Sequence, residues 1–331
     1  MTFLRKRIAA VAAVSVVAAL AVGCSGSAGE SGEGQALDPE NPTPVTVGTL
    51  PAGDYAPLYI AQDQGFFEEE GLDVEIEIIA GGAVGVTQLV SGEIDFSAAT
   101  WANTLSAVAQ GLEIQVVREG TDSQKEGING LIVQADGPIQ SVEDLRGETI
   151  SINTLQSATE VQIRDCLASE GLEPGDYELV EVAFPDAAAA VDQGRIAAGF
   201  VPEPFITIGE SQGLEPLFYP STCNELQSEL PLINWNVSTS YAEEHPEVVA
   251  AFVRAMDRAT ELAVDDPQVV IDILPEFTTL TPELAESITQ PSFVVDGAPN
   301  LAGAEKMMDL MVDYGLLEAP IDDLEPIAWK E

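Results

Sequence analysis

The stretch VTVGTLPAGDYAPLYIAQDQGFFEEEGLDVEIEII, residues 45–79, carries the plan of the folded body. Residues 45–50 alternate into a short apolar strand. Residues 58–67 repeat apolar side chains at helical spacing and stop at Gly71. Residues 72–79 return to a clean period of two. A strand, a helix and a second strand in so few residues form a parallel pair with the helix laid across it. Leu58, Ile60, Ala61, Phe66 and Phe67 read as packing. Thr49, Leu50, Asp54 and Tyr55 sit at the carboxyl end of the first strand, the edge where open α/β sheets take ligands, and are candidate binding residues.

The alternation continues on both sides of this core. A helix over 84–90, a strand over 94–98, a helix over 103–110 and a strand over 114–118 complete one α/β round. A second round has strands at 131–134, 149–153, 177–182 and 196–201, with helices at 159–170 and 186–193. One more strand is expected at 232–237, and helices fill most of the remainder, the last over 302–314. Two rounds and a return strand predict an α/β protein of two lobes joined by a two-strand hinge. Lobe I takes 45–130 and 236–331, and lobe II takes 131–235. The crossings are expected near 129–133 and 232–237, with the ligand in the cleft between the lobes.

Ahead of the body lies a different chemistry. Arg5, Lys6 and Arg7 precede an apolar run over 8–22, too short to span a bilayer comfortably, so residues 1–23 read as an export signal. Gly23-Cys24 at its end resembles the bacterial lipoprotein box, with Ala21 where Leu is usual. That resemblance implies cleavage before Cys24, acylation (palmitate or a similar chain) and a membrane tether. An ordinary secretory signal containing a cysteine is the alternative. Residues 24–44, rich in Ser, Gly, Glu and Pro, bury too little apolar surface to order and read as a flexible linker. Of the three cysteines, Cys166 and Cys223 remain in lobe II. An oxidising compartment permits them to pair, or Cys166 is simply buried on its helix.

The whole chain of 331 residues has 12 basic and 56 acidic side chains, a net charge of −44. Such a surface is repelled by nucleic acid and by anionic headgroups, which excludes nucleic acid as a partner. The acidic run Glu68-Glu69-Glu70 sits at a helix end, and no Asp-x-Asp-x-Asp-Gly loop gives it a metal role. The chain lacks a Cys-x-x-Cys pair, a Gly-x-Ser-x-Gly elbow and a phosphate-cradling Gly-Lys-Thr loop. Its one histidine, His245, stands beside Pro246 at a helix start and reads as a surface or capping group. No metal, cofactor or catalytic residue is expected.

Five motifs in order carry a resemblance. They are the stretch 56–75 (APLYIAQDQGFFEEEGLDVE), Val90-Ser-Gly-Glu-Ile-Asp-Phe, Asp144-Leu-Arg-Gly-Glu-Thr-Ile, Asp192-Gln-Gly-Arg-Ile-Ala-Ala and Pro202-Glu-Pro-Phe. Together they resemble the ABC-importer solute-binding proteins that take nitrate, sulfonates, taurine and the thiamine pyrimidine precursor. The resemblance implies the type II periplasmic-binding-protein fold. It also implies an extracytoplasmic, monomeric receptor that passes a small solute, anionic or aromatic and heterocyclic, to ABC permease subunits. The alternative is a thiamine-pyrimidine-synthase-like enzyme of the same fold. That branch uses a histidine, a lysine and a cysteine-rich motif, whereas this body has only Lys125, Lys306 and Lys330 and no such motif.

The remaining candidates sit at the same sheet edges. Gly81 and Gly82 let a ligand reach free N–H groups at a helix start, or serve a tight turn at positive φ. Thr100, Trp101 and Asn103 follow the third strand, Trp101 to stack on a ligand or to fill the cleft wall. In lobe II, Thr154, Gln156, Ser157 and Thr159 occupy the matching turn, as helix caps, ligand contacts or both. Glu203 reads as structural more than ligating, and Asn234 as lining the hinge side. Arg118 and Lys125, near the first crossing, favour an anion.

Overall fold

A computed structural model describes residues 37–124 and 126–331. The signal at 1–23, Cys24, the linker up to residue 36 and Lys125 lie outside the described residues.

Strand β1 (Thr43–Thr49) buries Val45 and Val47, helix α1 (Ala56–Asp63) starts with Pro57 in its first turn, and β2 (Leu72–Ile78) runs parallel to β1. The single helix expected over 58–67 is two. Gly65 sits at φ 71°, in the left-handed region that glycine tolerates, and a short α2 (Phe66–Glu69) restarts beyond it. There follow α3 (Gly82–Ser91), β3 (Phe96–Thr100), α4 (Trp101–Ala109) and β4 (Ile114–Asp122). The second round holds β5 (Asn129–Gln134), β6 (Thr149–Ile152), α5 (Ala158–Ser169), β7 (Glu178–Glu181), α6 (Phe184–Asp192), β8 (Ala198–Pro202), α7 (Phe205–Ser211) and β9 (Leu214–Phe218). The chain returns through β10 (Pro231–Ser238) to α8 (Thr239–Glu244), α9 (Pro246–Asp265), α10 (Pro267–Phe277), α11 (Pro282–Ala285), β11 (Ser292–Phe293) and α12 (Leu301–Asp313).

Two sheets result, ordered β11-β4-β10-β3-β1-β2 and β7-β6-β8-β5-β9. They share one plan. Three parallel strands (β2-β1-β3 and β7-β6-β8) are followed by an antiparallel insert, β10 or β5, and then by an outer strand, β4 or β9. Each insert arrives from the outer strand of the other sheet: β4 leads into β5, and β9 leads into β10. Residues 232–237, expected as a hinge crossing, are therefore an inner strand of the first sheet, paired on both sides and almost wholly buried. The connections between the sheets are residues 123–128 and 219–230.

The long helix α9 lays an apolar stripe of Val249, Phe252, Met256 and Ala259 on the first sheet, and Phe252 stacks between Phe67 and Phe96. Glu69 and Glu70 of the acidic run pair with Arg258 and Arg254 on α9, so that run ties α2 down. In the second sheet's domain, Cys166 on α5 is bonded to Cys223, with Cα atoms 5.5 Å apart.

Candidate functional site

The carboxyl ends of β1, β3, β6 and β8 face one another across the molecule, and a cavity of about 50 Å³ lies between them. By this measure each water needs roughly 10–15 Å³, so the space as it stands holds a few waters or a solute of a few heavy atoms. Leu50, Asp54, Tyr55, Gly82, Thr100 and Asn103 line it from the first sheet, as anticipated for the sheet edge. Thr154, Ser157 and Thr159 line it from the second.

The two sides are already latched together. Thr100 caps α4, accepting from Asn103 N while Asn103 Oδ1 accepts from Thr100 N. The same two side chains reach across to the start of α5. Asn103 Nδ2 donates to Gln156 O at 3.2 Å, and Ala158 N donates to Thr100 Oγ1 at 3.3 Å. Gln156 is exposed and at φ 55°. Its backbone carbonyl, rather than its side chain, reaches the other half, and its own N–H is held by Glu160 Oε2. Gly81 and Gly82 serve close approach, since both have ordinary or extended backbones. A Cβ on Gly82 would strike Asn103, and one on Gly81 would strike Thr154 from the opposite half.

Four candidates sit behind the wall. Thr49 is fully buried in β1. Trp101 points away from the cavity, with Met307 and Met311 of α12 in its cluster and Nε1 donating to Glu119 Oε1 at 2.8 Å. It fills core rather than stacking on a solute. Asn234 is buried within β10, where its side-chain Oδ1 accepts from Asn236 Nδ2, while its neighbours Leu232 and Ile233 line the cavity. Glu203 is a buried junction. Its backbone O accepts from Gly53, and its carboxylate accepts from Thr207 N, Thr207 Oγ1 and Thr289 N. Burial pushes its carboxyl up to about 7.

Sequence reasoning missed Asn129, Asn153, Gln162, Phe184 and Phe200, which also line the cavity. Asn129 and Asn153 belong to strand ends, and the edge rule could have found them. Gln162 lies one turn inside α5, where nothing in the sequence separates it from a surface glutamine.

Asp54 is the one charged side chain among the described residues of the lining. It is buried, and Oδ1 accepts from Thr121 Oγ1 at 3.0 Å. Desolvation outweighs that bond and pushes its carboxyl up to about 6. Arg118, expected to favour an anion, is wholly committed elsewhere: Nε to Asp257 at 2.7 Å, and the other nitrogens to Glu119 O and Val294 O. Among the described residues, no group of His, Cys, Asp and Glu has metal-binding geometry, and no helix is long and apolar enough to cross a membrane.

Residues 52–269, more than half of the chain, match the NMT1/THI5-like family. The chain belongs to that family. Proteins similar to it include two kinds. One is the 4-amino-5-hydroxymethyl-2-methylpyrimidine phosphate synthase THI13 of Saccharomyces cerevisiae, 23% identical over 73% of this chain and 72% of that one. The other is a putative aliphatic sulfonates-binding protein of Bacillus subtilis, 23% identical over 70% of each. Among solved structures, the alkanesulfonate-binding protein SsuA of Xanthomonas axonopodis pv. citri bound to MOPS superposes with a TM-score of 0.72. It is 19% identical and covers 84% of this chain and 95% of its own. The NMT1/THI5-like chain thus has the type II periplasmic-binding-protein fold that its two-sheet topology describes.

Proposed function

We propose that this chain is the extracytoplasmic solute receptor of an ABC importer, moored by an acylated Cys24 and working as a monomer that hands its solute to permease subunits. The observation that carries the reading is the cavity itself, walled by both halves and latched by Thr100 and Asn103 onto the start of α5. A solute there gains contacts from both sides only when they meet, so binding and closure are one equilibrium. The sulfonate-binding relatives support the receptor reading.

The synthase relative offers an enzyme as the alternative. Against it, the single histidine, His245, stands at the N-cap position of α9 with its ring beside Tyr241, and Cys166 and Cys223 are consumed in a disulfide. The test is small-angle scattering with and without a solute library, followed by mass spectrometry of the released solute. Compaction with the solute recovered unchanged is expected. Conversion of the solute gives the chain to the enzyme alternative, and a body that never opens ends the receptor reading. Mass spectrometry of the amino-terminal peptide tests the mooring: acylation at Cys24, abolished in Cys24→Ser, is expected.

A further inference from the structure

The chemistry of the lining narrows the solute. A site for an oxyanion usually presents a guanidinium or ammonium, arginine above all because its planar fork matches two oxygens. Here the arginines near the halves are committed. Arg118 is locked to Asp257, and Arg164 is paired with Glu160. The cavity instead holds a carboxylate, Asp54, whose Oδ1 is occupied by the Thr121 hydroxyl. Its Oδ2 takes no side-chain donor among the described residues. Among the described residues of the lining this carboxylate has no counter-charge, which is costly for a buried group, and a cation placed beside it relieves that cost.

A second observation points the same way from the opposite wall. Gln162, only 2% exposed, lines the cavity with Nε2 lacking any acceptor, and Thr154 Oγ1 there is also without a partner. Buried donors of native proteins are almost always satisfied, so an orphan at a cavity wall waits for an acceptor on the guest. Between these polar groups stand Tyr55, Phe184 and Phe200, which suit a flat or compact apolar body.

Resting on the receptor reading, we propose that the cavity selects a small organic nitrogen cation, a protonated amine or amidine-like group. Its N–H donates to Asp54, and an acceptor elsewhere on the solute meets Gln162. Asp54 is then the specificity-determining residue, and it turns this site away from simple oxyanions.

Guanidinium, urea and nitrate test this directly. Each is planar with four heavy atoms, and they differ mainly in charge, so size cannot explain a preference among them. Acetamidinium and acetate, also planar with four heavy atoms each, repeat the comparison with a methyl group in place of one polar substituent. Calorimetric titration of the full chain at neutral pH is expected to show the cations binding at least about tenfold more tightly than urea, and the anions not at all. Asp54→Asn keeps the shape and the Thr121 bond. It is expected to weaken cation binding by about thirtyfold or more, the usual consequence of removing one member of a buried charge pair. Melting of the unliganded Asp54→Asn variant, with Thr121→Val as a second variant that leaves the charge in place, shows whether the fold has survived.

Nitrate or acetate binding as tightly as its cationic counterpart overturns the proposal. So does undiminished cation binding by folded Asp54→Asn. If scattering shows closure on some other solute while no cation binds, Asp54 selection fails and the receptor reading stands. If no solute closes the halves, the receptor reading fails and this proposal falls with it.

Discussion

Gln162 shows how a binding residue weighs on the empty protein. Its buried Nε2 has no acceptor, and an unsatisfied buried donor costs about 1–3 kcal/mol. Gln162→Leu removes the donor at similar volume. Urea unfolding of the unliganded variant is expected to show a gain of about 1 kcal/mol, together with weaker solute binding. A loss of stability with unchanged affinity would mean that the amide is satisfied in solution. Two acids carry a related cost. Burial pushes Glu203 and Glu119 each up to about 7, although both accept hydrogen bonds. The folded state therefore holds these protons more tightly than the unfolded chain does. Their contribution is fully present below the ordinary carboxylate range and is lost as pH rises through about 7. The unfolding free energy from urea titration is expected to fall between pH 5.5 and pH 8, by about 4 kcal/mol in all. Glu119→Gln with Glu203→Gln is expected to flatten that slope.

At the scale of elements, the disulfide between Cys166 and Cys223 joins α5 to the returning connection, across a separation of 57 residues. Closing a loop of that length removes unfolded-state entropy corresponding to about 4 kcal/mol in the chain-entropy account. Cys223→Ala is expected to lower the melting temperature by several degrees, and a reductant should do the same to the wild type alone. Elements with strong local periodicity were legible in the sequence: β2 alternates cleanly, and α9 carries a single apolar stripe. The strand β9 was not, because Pro216 interrupts a run of five residues, and α7 offers only seven residues with a glycine among them. The alternation of 232–237 announced a strand but not its sheet, since pairing between distant segments leaves no local mark. In the site, the strand-to-helix turns could be placed from the edge rule, and nine of the anticipated residues line the cavity. Trp101 could not be oriented that way. As the first residue of α4, its direction depends on the rotation of the helix against α12 and on the waiting acceptor at Glu119.

For the whole molecule, the arrangement of inserts makes closure a property of the topology. Because β5 and β10 each complete the sheet opposite the strand they follow, the described chain passes between the halves at two connections, within 123–128 and 219–230. Each half can stay rigid while those connections bend. What favours the closed state in the unliganded chain includes a set of bonds across the gap: Asn103 to Gln156 O and Ala158 N to Thr100 at the cavity, with Gly53 N and Thr289 N to Glu203 and Tyr314 to Asp165 beyond it. A hydrogen bond of this kind is worth about 1 kcal/mol net, so deleting one shifts the open-to-closed ratio roughly fivefold. Asn103→Ala is therefore expected to raise the radius of gyration of the unliganded chain. It should also weaken solute binding, by at most that factor, because binding must now draw on a smaller closed population. Thr100→Val removes the acceptor for Ala158 N and should act in the same direction. It also strips a cap from α4, so its effect on melting should exceed that of Asn103→Ala measured against the same change in affinity. Scattering curves that superpose for the wild type and both variants would show that the gap is held by its other contacts, among them the Glu203 bonds to Gly53 and Thr289, and the latch would have no part in closure.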